Sequence, residues 1–174
     1  MPFKMLLGVA MFLVAQGTAG PTKVEIPGST NVTRVDATIA CAGATSPEAF
    51  AEIRRQGFVS IINLRREQEP GADIAGARQA AAQSGLKFVH VPVDGARPDP
   101  AAADSFIAAV TDPSNQPAFI HCGTANRVAA MWLIKRVVVD GWDVERARTE
   151  AKLIGLTSAE LERFALDYAA THKR

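Results

Sequence analysis

The feature that most constrains the fold of this chain is a short polar loop, 121–127, set between two apolar segments. The segment before it, 117–120, reads Pro-Ala-Phe-Ile and predicts a buried strand, and the segment after it, 128–134, predicts the start of a buried helix. The loop itself reads His-Cys-Gly-Thr-Ala-Asn-Arg. This order of strand, tight loop and helix is typical of chains that build an α/β sheet.

The same loop has the composition of an anion-binding site that contains a nucleophile. Backbone N–H groups of a tight loop and the positive end of a helix both favour a bound anion, and they also favour a thiolate placed among them. Arg127 stands at the predicted helix start, where a cation is unfavourable unless an anion accompanies it. The alternatives are a buried structural cysteine at Cys122 and a surface arginine at Arg127.

Strands and helices alternate along the rest of the chain. Predicted strands are 35–40, 58–64, 88–93 and 117–120. Predicted helices are 47–56, one that follows a loop from Gly71 and ends at Gly85, 101–110, 127–140, 143–154 and 157–171. This alternation predicts an α/β fold: a mostly parallel four- to five-stranded sheet flanked by helices on both faces. Because ligands of such sheets bind beyond the carboxyl ends of the strands, we expect 63–65, Asp94 and 122–127 to converge there.

The loop resembles the phosphate-binding loop of cysteine-dependent phosphatases of the protein-tyrosine and dual-specificity type. The usual spacing in that family is Cys-x5-Arg, whereas Cys122 and Arg127 are separated by Cys-x4-Arg. The shorter loop is similar to a bacterial branch related to the phosphatase-like domain of beta-lactamase-hydrolase-like proteins. The strands at 57–65 and 89–94 also resemble that family, so the similarity covers roughly residues 32 to 170 and implies a dual-specificity-phosphatase-like fold.

The resemblance implies three catalytic roles. Cys122 would attack phosphorus, Arg127 would hold the phosphoryl oxygens, and Asp94, which lies 28 positions before Cys122, would protonate the leaving group. Asp99 is the main rival for the acid and Asp104 a more distant one. Each aspartate could instead be a turn or helix-cap residue.

The remaining loop residues are expected to bind the phosphate or to order the loop. His121 would support the loop and the thiolate, and Asn126 would stabilise the loop or contact substrate. The predicted phosphate-binding residues, mainly through backbone N–H groups, are Gly123, Thr124, Ala125, Asn126 and Arg127.

Two further positions bear on activity. Arg65 ends a strand on the catalytic side, where it would either widen the anionic pocket or form a salt bridge with Glu67 or Glu69. Val128 follows the arginine where many relatives carry serine or threonine, whose hydroxyl assists release of the thiolate. Its absence would slow turnover unless Thr124 substitutes.

These features predict a phosphatase that hydrolyses a phosphate monoester through a cysteinyl-phosphate intermediate. Its partners would be phosphorylated proteins or small phosphoesters. With a formal net charge of +1, nothing indicates a nucleic-acid partner, and three scattered histidines indicate no metal site and no cofactor. A rhodanese-like sulfurtransferase and a non-catalytic phosphate-binding module remain alternatives.

The first residues have the composition of a secretory signal peptide. Lys4 precedes an apolar run, 5–15, and small residues follow it, so cleavage is expected after Ala19, with an uncleaved anchor as the alternative. The expected domains are a signal peptide, 1–19, a flexible leader, 20–31, and the phosphatase-like domain, 32–174. The mature protein would be periplasmic or secreted, without stable membrane insertion.

The chain has two cysteines, Cys41 and Cys122. Export would place both thiols in an oxidising compartment. A structural disulfide and a reversible bridge that switches off Cys122 are both open at this point.

Overall fold

The structure is a computed structural model that describes residues 20–172. The predicted signal peptide, 1–19, lies outside the described residues. The sheet has six strands in the order β1-β2-β3-β6-β4-β5. Their bounds are β1 Thr22–Lys23, β2 Thr33–Arg34, β3 Ile39–Ala42, β4 Ser60–Asn63, β5 Lys87–His90 and β6 Ala118–His121.

The four strands from β3 to β5 are parallel, as the sequence predicts. Strand β6 lies between β3 and β4, with Ile120 opposite both Cys41 and Ile62. Every residue of β3, β4 and β6 is buried, including the polar Ser60, Asn63 and His121, as expected for central strands of a parallel sheet that is covered on both faces. The carboxyl ends of β4 and β6 are therefore neighbours, with Asn63 beside His121.

Helices cover both faces of the sheet. Their bounds are α1 Phe50–Arg55, α2 Ile74–Gln83, α3 Pro100–Thr111, α4 Asn126–Val138, α5 Val144–Ile154 and α6 Ala159–His172, with short 3-10 turns at Pro47–Ala49 and Pro113–Asn115. Ile61 and Phe119 face a core shared with α1 and α2, whereas Ile62 and Ile120 face a larger core shared with α3 to α6. The period of two along each strand thus separates the two cores.

The amino-terminal edge of the sheet differs from the sequence prediction. Residues 20–31, predicted as a flexible leader, contain strand β1, which pairs antiparallel with β2, and the buried Ile26. These two additional short strands make the sheet six-stranded and mixed rather than four- to five-stranded. Two-residue strands with polar sequences carry no periodicity, so sequence patterns do not reveal them.

Strand β3 also begins later than the predicted 35–40. The Asp36 side chain accepts hydrogen bonds from the N–H groups of Thr38 and Ile39, at 2.8 and 3.0 Å. This side-chain turn connects β2 to β3, which pair antiparallel, and β3 begins at Ile39, where it also pairs parallel with β6. Across residues 20–172, no helix is both long and apolar enough to span a lipid bilayer.

Candidate active site

Cys122 follows β6 directly and is fully buried. Its N–H points to the carbonyl of Ala42 at 3.4 Å, so the end of the neighbouring strand fixes the start of the loop. The loop then turns at Ala125, whose φ of 73° places it in the left-handed region, and α4 begins at Asn126. The predicted sequence of buried strand, tight loop and buried helix is confirmed.

Arg127 reaches back from the first turn of α4 to the ends of two neighbouring strands. Its Nη1 donates to Glu69 Oε1, to the carbonyl of Val93 at 3.0 Å and to the carbonyl of Leu64 at 3.2 Å, and its Nη2 donates to Glu69 Oε2 at 2.9 Å. These bonds leave the Nε–H and the second Nη2–H, which form the side of the guanidinium fork suited to phosphate oxygens. A Cβ built on Gly123 would lie 3.4 Å from Nη2, so this part of the guanidinium lies close to the cysteine loop.

The sequence does not predict Glu69 as the partner that positions Arg127. Glu69 pairs with Arg127 through both carboxylate oxygens, and it also accepts from the Arg66 N–H at 2.8 Å and from Arg65 Nε at 3.3 Å. Burial alone would raise the pKa of Glu69, but these donors outweigh burial and lower the pKa to about 2. Of the two roles predicted for Arg65, the structure shows the salt bridge, and its partner is Glu69.

Glu69 and the Cys122 thiol both affect the pKa of Arg127. Burial alone would lower the pKa of Arg127, but the hydrogen bond to Glu69 and the nearby Cys122 sulfur raise it. Arg127 is therefore a permanent cation held beside a thiol. A cation in this position stabilises negative charge on sulfur and on a bound anion.

Asp94 lies in the same region, on the loop after β5. Its Oδ2 is 2.8 Å from Arg66 Nη1 and 3.7 Å from Arg97 Nε, and its Oδ1 accepts from the N–H groups of Ala96 and Arg97 at 2.9 and 3.3 Å. The Ala96 N–H is the main cause that lowers the pKa of Asp94, with the Arg97 N–H and both arginine charges adding to it. In this conformation Asp94 is a carboxylate.

The two rival aspartates have structural roles. Asp99 caps α3, because its side chain accepts the N–H of Ala102 at 3.0 Å. Asp104 accepts a hydrogen bond from the Tyr168 hydroxyl, which joins α3 to α6. Neither side chain lines the cleft that contains Asp94.

Asn126 connects the loop to the start of α6. Its Oδ1 accepts from the N–H groups of Thr157 and Ser158, at 2.7 and 2.8 Å, and its Nδ2 is 3.4 Å from Thr124 Oγ1. Of the two roles predicted for Asn126, the contacts in the structure are those of a loop-stabilising residue.

An open cleft of about 380 Å³ lies over these residues. Its lining residues are Arg66, Glu69, Asp94, Gly95, Ala96, Thr124, Asn126, Arg127, Ser158 and Leu161. Cys122 is not among them, since it is fully buried. The structure therefore brings Asp94, Thr124, Asn126 and Arg127 to one cleft. The other predicted loop residues, Cys122, Gly123 and Ala125, do not line it.

Cys41, Cys122 and Val128 are all buried next to the site. Cys41 on β3 and Cys122, directly after the adjacent strand β6, are both free thiols. Burial is the main cause that raises the pKa of Cys41 well above its usual value. Val128 is completely buried in the larger core, where a hydroxyl would need a partner. Within residues 20–172, no group of three or more His, Cys, Asp or Glu side chains is arranged to hold a metal ion.

His121 precedes the cysteine and is almost completely buried, at 2% exposed, and neither ring nitrogen has a hydrogen-bond partner among the described residues. Burial lowers its pKa from 6.5 to about 4, so the ring is neutral at physiological pH. The unfolded chain therefore binds more protons than the folded chain between pH 4 and 6.5, and stability must fall as the pH falls through that window.

We expect the free energy of unfolding to decrease by about 3 kcal/mol between pH 6.5 and pH 4 because of His121. Urea unfolding at a series of pH values measures this decrease, and His121→Asn serves as the comparison. The variant should lose most of the decrease above pH 4.5, where Glu69 does not yet titrate. Identical pH profiles for both proteins would contradict the assignment.

The fold and the loop together define the class of the protein. A parallel sheet with a cysteine after a central strand and an arginine in the first turn of the next helix is the arrangement that the resemblance to cysteine-dependent phosphatases predicts. In agreement, residues 31–139, more than half of the chain, match the family model of the beta-lactamase hydrolase-like protein, phosphatase-like domain. The chain belongs to this family, and the predicted resemblance is confirmed.

Relatives of known name agree with this assignment. A beta-lactamase hydrolase-like protein of Xylella fastidiosa (strain Temecula1 / ATCC 700964) is 29% identical over 119 residues, which are 67% of this chain and 26% of that protein. A second strain, 9a5c, gives the same values. The chain thus spans about a quarter of the length of the curated relatives that it matches.

Solved structures share the fold. A putative phosphatase (DUF442) of Shewanella putrefaciens CN-32 aligns with a TM-score of 0.72 and 17% sequence identity. The alignment covers 86% of this chain and 97% of that protein. TpbA of P. aeruginosa aligns with a TM-score of 0.67 and 20% sequence identity, over 88% of this chain and 90% of TpbA. The core catalytic domain of the PP-IP phosphatase SIW14 from S. cerevisiae aligns with a TM-score of 0.68 and 20% sequence identity, over 82% of this chain and 87% of that domain. The predicted α/β, mostly parallel architecture is confirmed.

Proposed function

We propose that this domain hydrolyses phosphate monoesters through a cysteinyl-phosphate intermediate. The observation that carries the proposal is the position of Arg127, which Glu69 holds beside the Cys122 sulfur with part of its guanidinium fork unused. A fork of N–H donors next to a nucleophilic sulfur suits a phosphoryl group under attack. The family membership supports phosphatase chemistry over sulfur transfer.

The proposed reaction has two steps. In the first step the Cys122 sulfur forms a bond to phosphorus, the ester P–O bond breaks, and the leaving oxygen keeps the electron pair and takes a proton from Asp94. In the second step a water oxygen forms a bond to phosphorus, the S–P bond breaks to regenerate the thiolate, and a proton from water passes to Asp94. Arg127 and the N–H groups of the loop stabilise the charge on the phosphoryl oxygens in both steps.

Asp94 is the acid that we assign, because it is the aspartate that lines the cleft. As a carboxylate bound to Arg66, it must first acquire a proton on Oδ2, since Oδ1 is engaged by backbone N–H groups. A bound phosphoryl dianion favours this protonation, because a nearby negative charge raises the pKa of a carboxyl group.

The test is hydrolysis of an aryl phosphate under reducing conditions by the wild type and by Cys122→Ser. We expect turnover by the wild type and a loss on the order of 10⁴-fold or more in the variant, because the nucleophile is gone. Cys41→Ala is the matched control, since Cys41 is the other fully buried thiol, and it should retain turnover.

The competing function is a module that binds phosphate without turnover, which the buried Val128 favours because it supplies no hydroxyl beside Arg127. Absence of turnover in the wild type, together with binding of vanadate, would replace the phosphatase proposal by this one. Equal turnover in the wild type and in Cys122→Ser would exclude Cys122 as the nucleophile.

A further inference from the structure

Two arginines beside the cleft are bound to the proposed acid rather than to the phosphate loop. Arg66 comes from the segment after β4 and Arg97 from the segment after β5, and both approach the same oxygen, Oδ2 of Asp94, at 2.8 and 3.7 Å. The other oxygen, Oδ1, accepts the N–H groups of Ala96 and Arg97. One carboxylate oxygen is thus shared by two cationic side chains.

These arginines retain unused donors. Within the described residues, Arg66 Nε is buried without a hydrogen-bond partner, and it lies 3.9 Å from Glu69 Oε1, whereas Nη1 donates to Asp94. The Arg97 side chain is 87% exposed, and its Nε is beyond hydrogen-bond distance of Asp94 Oδ2, at 3.7 Å. Together with the ion pairs of Glu69, four arginines surround two carboxylates here, which leaves an excess of positive charge at this point.

This excess charge lies next to the phosphoryl position. A Cβ built on Gly95 would lie 3.6 Å from Arg127 Cδ, so the segment that follows Asp94 packs on the Arg127 side chain. Arg66, Asp94 and Arg127 line the same cleft of about 380 Å³. None of its lining residues is aromatic within the described part of the chain, so this cleft offers no ring for stacking on a phenol ester.

We propose that Arg66 and Arg97 form a second anion subsite, and that the substrates are small phosphate esters that carry another phosphate or a carboxylate close to the scissile phosphate. This proposal rests on the proposed phosphatase function and specifies its substrate class. The second anion takes the donors of Arg66 and Arg97, and Oδ2 of Asp94 is released from them. The released oxygen then carries the proton that the leaving group receives.

The experiment compares two esters of equal shape, meta-carboxyphenyl phosphate and meta-carbamoylphenyl phosphate. We expect the wild-type kcat/KM for the carboxylate ester to exceed that for the amide ester by about tenfold, as one charge-assisted hydrogen bond provides. In Arg66→Gln and in Arg97→Gln the ratio should fall toward one. Arg55→Gln, which removes an exposed arginine on α1 outside the cleft, should keep the wild-type ratio.

Binding separates this proposal from the phosphatase proposal. Calorimetric titration of Cys122→Ser with both esters measures the subsite without turnover, and we expect the same preference of about tenfold for the carboxylate ester. This preference without wild-type turnover would support the subsite and reject the phosphatase. Turnover with equal kcat/KM for both esters would do the reverse.

Two other outcomes would overturn the subsite. The first is a preference that persists in both arginine variants, since the second anion would then bind elsewhere. The second is a higher kcat/KM for a phosphotyrosine peptide without acidic residues than for the carboxylate ester.

Discussion

Replacement of Arg127 by alanine is expected to lower kcat/KM for an aryl phosphate by on the order of 10³-fold. The guanidinium lies beside the Cys122 sulfur, and its Nε–H and second Nη2–H are the donors available to phosphoryl oxygens. The variant also loses the cation that stabilises the thiolate. Steady-state hydrolysis, followed by vanadate binding, measures both effects.

Arg127→Lys is the informative companion to this variant. Lysine keeps the positive charge but lacks the planar fork, so it cannot engage Glu69 and two phosphoryl oxygens together. We expect it to recover only a small part of the lost activity. Full activity in Arg127→Lys would show that charge alone suffices, and it would remove the geometric role that we assign to Glu69.

Replacement of Glu150 by alanine is expected to lower the free energy of unfolding by about 3–5 kcal/mol. Glu150 is 6% exposed and accepts from Arg136 Nε at 2.7 Å, Arg136 Nη2 at 3.1 Å and Trp132 Nε1 at 2.8 Å. Its removal leaves the buried Arg136 with only the more exposed Asp140 and Asp36 as ionic partners. The shift of the urea midpoint at constant slope measures the loss.

Glu145→Ala is the matched control on the same helix. Glu145 is 75% exposed and lies 3.6 Å from Arg148, so its removal should cost less than about 1 kcal/mol. Equal losses for the two variants would contradict the importance of burial at Glu150. This network joins the C-terminal half of α4 to α5, whereas the cysteine loop precedes the N-terminus of α4. We therefore expect Glu150→Ala to affect stability more than catalysis.

The sequence predicts the central part of the fold well because burial there is continuous. The apolar residues before Cys122 and after Arg127 specify a strand and a helix, whatever the rest of the chain does. Convergence of Asp94 with the cysteine loop follows from topology, since parallel strands place their carboxyl ends at one edge. The short strands β1 and β2 lack such a pattern, and the structure alone identifies them.

The polar partners within the site are less predictable. Glu69 lies 58 positions before Arg127, and nothing in the local sequence distinguishes it from Glu67. The signal in the sequence is the run of charged residues at 65–69, which follows β4 at the edge of the sheet where the cysteine loop lies. Which member of that run pairs with which arginine depends on the path of the loop, and hydrophobic periodicity carries no information on that path.

The bonds of Asn126 have a consequence for where this domain ends as a physical unit. Similarity to the family extends over residues 31–139, but the N–H groups that hold the Asn126 side chain belong to Thr157 and Ser158. A Cβ added to Gly155 would lie 3.2 Å from the Ala125 side chain, so the junction of α5 and α6 also supports the left-handed turn of the loop. A fragment cut at the border of sequence similarity would keep every residue assigned to chemistry and lose the segment that gives the loop its shape.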